Sequence, residues 1–193
     1  KEVFEEITND QIIKEPYIFL YNVWSGFGAV KAAQRISELT GMPVYTAMMD
    51  SRIKQIMRIE KAGITVETRH TSPQDFLSLI KYSDLVVTES FHGTAFSLVF
   101  EKKFVCINSK NDLGNLKNDE RIINILNITD LMERYITIED IDGFDFNKDI
   151  NYDVVTSRRM NEADRCKSIL FRTVLLLNFN DYSYERYIVM SIS

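Results

Sequence analysis

The stretch DLVVTESFHGTAFSLVFEKKFVCINS, residues 84–109, holds two apolar runs around a polar junction. Asp84 to Thr88 is short, β-branched and apolar without alternation, the pattern of a strand buried on both faces. Thr94 to Phe100 is apolar nearly all round, which predicts a buried helix. Lys103 to Asn108 repeats the strand pattern. Parallel strands need a crossover long enough to hold a helix, so strand, helix and strand in this order predict a parallel βαβ unit. The junction Ser90-Phe91-His92-Gly93-Thr94 falls between the first strand and the helix, and it carries one of the 2 histidines of the chain.

The same alternation extends upstream. Tyr17 to Val23 reads as a strand after Pro16, and Ser25-Gly26-Phe27-Gly28 as a turn. Val30, Ala33, Ile36 and Leu39 then recur at helical steps until Gly41 and Pro43 end the helix. Pro43 to Met48 is a second strand, 51–62 a short helix, and Gly63 to Glu67 a third strand. Ser72 caps a helix that opens on Pro73 and presents Phe76, Leu77 and Ile80 on one face. The expected fold is α/β, a doubly wound, mostly parallel sheet with helices on both faces. Downstream, 110–119 is polar loop, and Arg121 to Leu126 and Leu131 to Arg134 are short helices. Ile136 to Gly143 reads as a short extended segment. A long helix of about 152–177 is expected to close a domain spanning 1–178, with 179–193 an unplaced Tyr-rich tail.

Composition narrows the function. The chain has 193 residues, 45% hydrophobic and 26% charged, a globular balance. A net charge of −5 argues against a dedicated nucleic-acid binder, which needs a basic excess. It leaves room for a small anion held by local cations. Cys106 and Cys166 suit neither a disulfide framework nor a zinc site, so no metal and no resident cofactor is expected. Cys106, mid-strand, reads as core. No apolar run is long enough for a membrane span. The expected location is the cytoplasm, up to the inner face of the membrane. The chain opens on Lys1-Glu2-Val3-Phe4 without an initiator Met, as a piece of a longer protein would.

Ligands of parallel sheets sit beyond the carboxyl ends of the strands. Helix N-termini there carry unsatisfied N–H groups that attract anions. Gly93 allows close backbone approach, Ser90 and Thr94 offer hydroxyls, and His92 supplies a proton or a charge near neutral pH. The plainer reading makes Ser90 an N-cap and His92 an exposed first-turn residue. Arg121 stands at a helix start, where a cation opposes the helix dipole and is better explained by an anionic partner. Lys110, Lys117 and His70 are weaker candidates, and Arg158 and Arg159 read as surface charge. A dinucleotide site at Gly26-Phe27-Gly28 is disfavoured, because Lys31 stands where a third glycine is needed and Asp50 is the nearest acid. Trp24 and Phe27 are instead expected to face a sugar.

Residues 83–108, with S-F-H-G-T at their centre, resemble the hallmark segment of the polysaccharide pyruvyl transferase family. Arg121-Ile-Ile-Asn-Ile-Leu126, then Leu131-Met-Glu-Arg134, is similar to the family's Arg-then-leucines segment and its L-x-x-R coda. The likeness runs over residues 15–135. It implies a Rossmann-like C-terminal half of a GT-B-type fold, whose own N-terminal domain, absent here, supplies the other wall of the cleft. It implies transfer of a pyruvyl group from phosphoenolpyruvate to a sugar of a bacterial surface polysaccharide or its lipid-linked oligosaccharide precursor, giving a pyruvate ketal. His92 would then be catalytic, and Ser90, Gly93, Thr94 and Arg121 would bind substrate. Two alternatives stand beside it. One is a GT-B glycosyltransferase using a nucleotide sugar, and the other a non-catalytic anion- or glycan-binding domain.

Overall fold

Tyr17, Ile18, Phe19 and Leu20 are completely buried, and strand β1, Ile18–Tyr21, lies inside a sheet with partners on both sides. The computed structural model describes residues 4, 6–21, 27–47, 53–67, 72–109 and 114–179. The other strands are β2 Val44–Ala47, β3 Thr65–Glu67, β4 Leu85–Thr88, β5 Phe104–Ile107 and β6 Tyr135–Ile136. The order is β3-β2-β1-β4-β5-β6, with every pairing parallel. The sheet is therefore wholly rather than mostly parallel.

The period of two along each strand sorts its side chains to opposite faces. Ile18, Leu20, Leu85, Val87, Val105 and Ile107 cluster with Ala29, Ala33 and Ile36 of helix α1, Phe27–Thr40. The small alanines let α1 pack close to the sheet. On the other face, Phe19 meets Phe76 of helix α3, Pro73–Lys81, at 5.9 Å between ring centroids. Phe76 in turn meets Phe96 of helix α4, Phe91–Val99, at 6.1 Å. Tyr17 donates its hydroxyl to the Leu79 carbonyl at 2.7 Å, and burial pushes its pKa up. Helices α2, Ile53–Glu60, and α5, Glu120–Thr129, complete the first of two compact units, residues 1–152. In the second, residues 153–193, helix α6 begins at the boundary and runs Tyr152–Phe179. Among the described residues no helix is long and apolar enough to cross a membrane.

Local chemistry explains the boundaries. Ser72 and Asp75 form a reciprocal capping box, with Asp75 N–H on Ser72 Oγ at 3.1 Å and Ser72 N–H on Asp75 Oδ2 at 3.2 Å. A second box corrects the expectation of an extended 136–143. Thr137 N–H and Oγ1–H both reach Asp140 Oδ2, at 2.8 and 2.7 Å, and wind Ile138–Gly143 into a 3-10 helix. Helix α4 also begins three residues earlier than Thr94, at Phe91, because Ser90 supplies the cap. That places His92, Gly93 and Thr94 inside its first turn. Arg134 is fully buried; it donates to the Lys148 carbonyl at 2.6 Å and lies 5.4 Å from the Phe144 ring centre.

Candidate functional site

The strand order reverses direction between β1 and β4. From β1 the chain winds outward through β2 and β3; from β4 it winds the other way through β5 and β6. Connections leaving β1 and β4 diverge at that switch point and open a crevice beyond their carboxyl ends. Tyr21 and Thr88 are register partners there. The Thr88 hydroxyl donates to the Tyr21 carbonyl at 2.9 Å and accepts the Ser90 N–H at 2.9 Å. One side chain thus ties the two strands together and starts the turn into α4.

A cavity of about 580 Å³ occupies the crevice. Its wall includes Tyr21, Glu89, Ser90, His92, Ser109 and Arg121, together with Lys117, Asp119 and Tyr135. Ser90 is the N-cap of α4, with extended backbone at φ −106°, ψ 138°, and its Oγ accepts the His92 N–H at 3.2 Å. Ser90 also bonds the Tyr21 hydroxyl, whose pKa burial raises and this contact partly restores. The His92 side chain is exposed, and its ring meets Phe91 edge-on at 5.8 Å. Among the described residues nothing bonds its imidazole.

Gly93 and Thr94 are not among the residues that line the cavity. A Cβ at Gly93 would stand 2.3 Å from Thr88 Oγ1 and 2.8 Å from Tyr21 Cδ1, so only glycine lets α4 start against β1 and β4. Thr94 is completely buried, and its hydroxyl donates to the Ser90 carbonyl at 3.1 Å. The arrangement gives both a part in shaping the junction.

The start of α1 also faces the crevice, and Glu89 already occupies it. Glu89 Oε1 accepts the Ala29 N–H at 2.7 Å and the Ser109 hydroxyl. A Cβ at Gly28 would lie 1.9 Å from Ser109 Oγ and 2.6 Å from Glu89 Oε1. In a dinucleotide fold this is the seat of the pyrophosphate. A carboxylate fixed there repels phosphate and agrees with the missing third glycine.

Arg121 has an anionic partner within the chain, Asp119. Asp119 caps α5 by accepting the Arg121 N–H at 2.9 Å, and takes Arg121 Nε at 3.1 Å and Nη2 at 2.7 Å. The Arg121 side-chain bonds hold the Asp119 carboxyl below the usual carboxylate range, and the same contact raises the Arg121 pKa. The guanidinium lies 5.6 Å from the Phe91 ring centre, and among the described residues its Nη1 has no partner. Tyr135 has its pKa raised by burial, and its hydroxyl oxygen accepts the Asp119 N–H at 3.4 Å.

The crevice therefore brings together Ser90, His92 and Arg121, with Lys117 beside them. Trp24, Gly26, Asp50, His70 and Lys110 lie outside the described residues, as does the Phe27 side chain. Glu89, Tyr21, Ser109, Asp119 and Tyr135 were not singled out by the sequence. Glu89 and Ser109 flank the quoted motif and its closing strand; position was a signal, but partnership across 60 residues with Ala29 was not readable. A second cavity, about 760 Å³, opens at the opposite ends of the strands among Leu39, Leu85, Lys102 and Phe144. It lacks the diverging connections that make a switch point, so the smaller cavity is the candidate site. Among the described residues no group of three or more His, Cys, Asp or Glu side chains could hold a metal ion.

Comparison with known proteins gives a family match. The family model described as polysaccharide pyruvyl transferase matches residues 5–111. A comparison with curated proteins finds no match. Among solved structures, UDP-GlcNAc 2-epimerase from Methanocaldococcus jannaschii is similar at 11% identity with a TM-score of 0.49. The similarity covers 84% of this chain and 50% of that one, so the chain spans about half the length of that protein.

Proposed function

Because the chain belongs to the polysaccharide pyruvyl transferase family, we propose that its crevice binds phosphoenolpyruvate and promotes transfer of the pyruvyl group to a sugar. The observation that carries this reading is the convergence of His92, the Ser90-capped start of α4 and Arg121 on one cavity. The reaction needs what these groups offer. Phosphoenolpyruvate is a polyanion with a carboxylate and a phosphate. The first turn of α4 presents N–H groups and a positive dipole end to one anionic group. Arg121, with an edge of its fork unoccupied, suits the other. The methylene carbon must gain a proton for the ketal methyl group to form, a role we assign to His92. Lys117 adds a cation to the same wall.

The acceptor is proposed to be a sugar of a bacterial surface polysaccharide or of its lipid-linked precursor, with an N-terminal domain forming the facing wall. The test is a panel assayed on the complete polypeptide: phosphoenolpyruvate, a nucleotide sugar and free glycans, followed by binding and by inorganic phosphate release. Phosphate release from phosphoenolpyruvate that requires a sugar is the expected result. Turnover of the nucleotide sugar in its place would make the chain a glycosyltransferase. Glycan binding with no turnover of either donor would make it a binding domain.

A further inference from the structure

Glu89 is an acid of the cavity wall with no ion-pair partner among the described residues. Asp119, the other carboxylate on the wall, is held on two oxygens by Arg121. Glu89 instead meets neutral donors, the Ala29 N–H at 2.7 Å and the Ser109 hydroxyl, both on Oε1. Among the described residues its Oε2 has no partner. A carboxylate near an anion cradle weakens anion binding through like-charge repulsion. Yet two separated parts of the chain hold this one in place, at Ala29 and Ser109, and the space is so tight that Gly28 has no room for a Cβ. A fixed negative oxygen on such a wall suits a ligand that brings neutral hydrogen-bond donors. Sugar hydroxyls are such donors.

We propose that Glu89 is a second catalytic residue, whose Oε2 accepts a hydroxyl of the acceptor sugar and removes its proton as the oxygen attacks. The inference rests on the pyruvyl transfer proposed above. The first sugar O–H bond breaks, its proton passes to Glu89, and its oxygen bonds to C2 of the enolpyruvyl group. The electron pair of the C=C bond takes a proton from His92 onto the methylene carbon. The C2–O bond to phosphate then breaks as the second hydroxyl oxygen bonds to C2, and that hydroxyl's proton leaves with phosphate as hydrogen phosphate. The proton on Glu89 returns to His92 through solvent. Two sugar protons are consumed, one in the new methyl group and one on phosphate, so the cycle balances. Glu89 and His92, both on the cavity wall, thus hold opposite ends of the proton transfer.

The experiment uses Glu89→Gln in the complete polypeptide, with phosphoenolpyruvate and a sugar diol. The glutamine keeps the size and the bond to Ala29 but cannot take a proton. Phosphoenolpyruvate Kd should stay within about threefold of wild type or fall, since only repulsion is lost. The kcat should drop by about 10²–10⁴, the range of a positioned base. The acidic limb of the kcat–pH profile should flatten. Glu89→Ala should recover at least about tenfold of its lost rate on addition of formate, a rescue that a purely structural role would not allow. If Glu89→Gln does not fold, Glu89→Asp must show the same split, with donor affinity kept and kcat lost. Wild-type kcat in either folded variant, or no formate rescue, overturns the inference while leaving pyruvyl transfer intact. Absence of phosphoenolpyruvate turnover in wild type overturns both.

Discussion

Asp119 holds Arg121 from below, through Oδ1 on Nε at 3.1 Å and Oδ2 on Nη2 at 2.7 Å, while Oδ1 also caps the helix that carries them both. A cation in a first turn opposes the helix dipole. Here the cap itself supplies the counter-charge. The guanidinium is two-thirds exposed and opens on the cavity, with one edge of its fork engaged and the other available. Arg121→Ala should therefore raise the KM for phosphoenolpyruvate by about tenfold or more, the scale of a lost charge-assisted contact. Arg121→Lys should recover part of that loss, because an ammonium keeps the charge without the planar fork. Unchanged KM in both variants would make the pair a helix cap and nothing more.

Asp119→Ala should cost about 1 kcal/mol of stability, the usual worth of an N-cap, readable in urea melts. The contribution has a pH signature. The folded-state pKa of Asp119 lies below the ordinary aspartate value of 3.8, with the Arg121 bonds as the main cause. Its stabilisation is fully present above that ordinary value and disappears as pH falls through the lower folded-state value. Wild type and Asp119→Ala should accordingly differ at pH 7 and converge in acid. A difference that persists at low pH would assign the effect to packing instead.

Gly93→Ala should destabilise the chain by about 1–3 kcal/mol, because the new Cβ has backbone-anchored neighbours that cannot move aside. Thr88 Cβ and Tyr21 Cδ1 both stand 2.8 Å from it. Gly143→Ala is the control, since nothing lies within 4 Å of a Cβ there. It should be neutral or slightly stabilising through loss of unfolded-state freedom. Equal melting of the two variants would show that α4 can shift off the strands.

Thiol labelling separates the two cysteines. Cys106 lies in β5 with its side chain shut off from water, and burial pushes its thiol pKa up to about 12. Cys166 is exposed on α6. The native chain should react rapidly with one equivalent of iodoacetamide, and with a second only on unfolding. Fast modification of Cys106 in the native state would mean that β5 opens locally.

Much of the architecture was written in local pattern. The unbroken apolar runs at Leu85 to Val87 and Phe104 to Ile107 could only be strands covered on both faces, and the parallel sheet followed from the helix between them. Errors fell where a side chain far from the apolar pattern decided the backbone. Asp140, by bonding Thr137, turned an extended reading into a 3-10 helix. Of the residues that line the cavity, His92, Ser90 and Arg121 could be singled out from the sequence because they stand next to strand ends and helix starts. Glu89 was not. It precedes a helix cap by one residue and looks like a solvated charge until the fold brings Ala29 and Ser109 to it. Nor was the bond of the Thr94 hydroxyl to the Ser90 carbonyl readable, since it depends on where the helix starts.

His92 should govern the rate more than the affinity. Its backbone is fixed in the first turn of α4 by the Ser90 cap, while among the described residues nothing bonds its ring. The imidazole is therefore placed by the helix but not committed to a structural contact, and a substrate on the cavity wall can engage it directly. His92→Ala in the complete polypeptide should cut kcat by about 10²–10⁴, the worth of a positioned acid. His92→Gln keeps a hydrogen-bonding group and loses the transferable proton. It should bind phosphoenolpyruvate with nearly wild-type affinity and remain slow at saturating donor. A loss of kcat with KM preserved identifies an interaction made only in the transition state. If His92→Gln instead reaches wild-type kcat and shows only a raised KM, the residue binds the anion, and the methylene proton comes from another group.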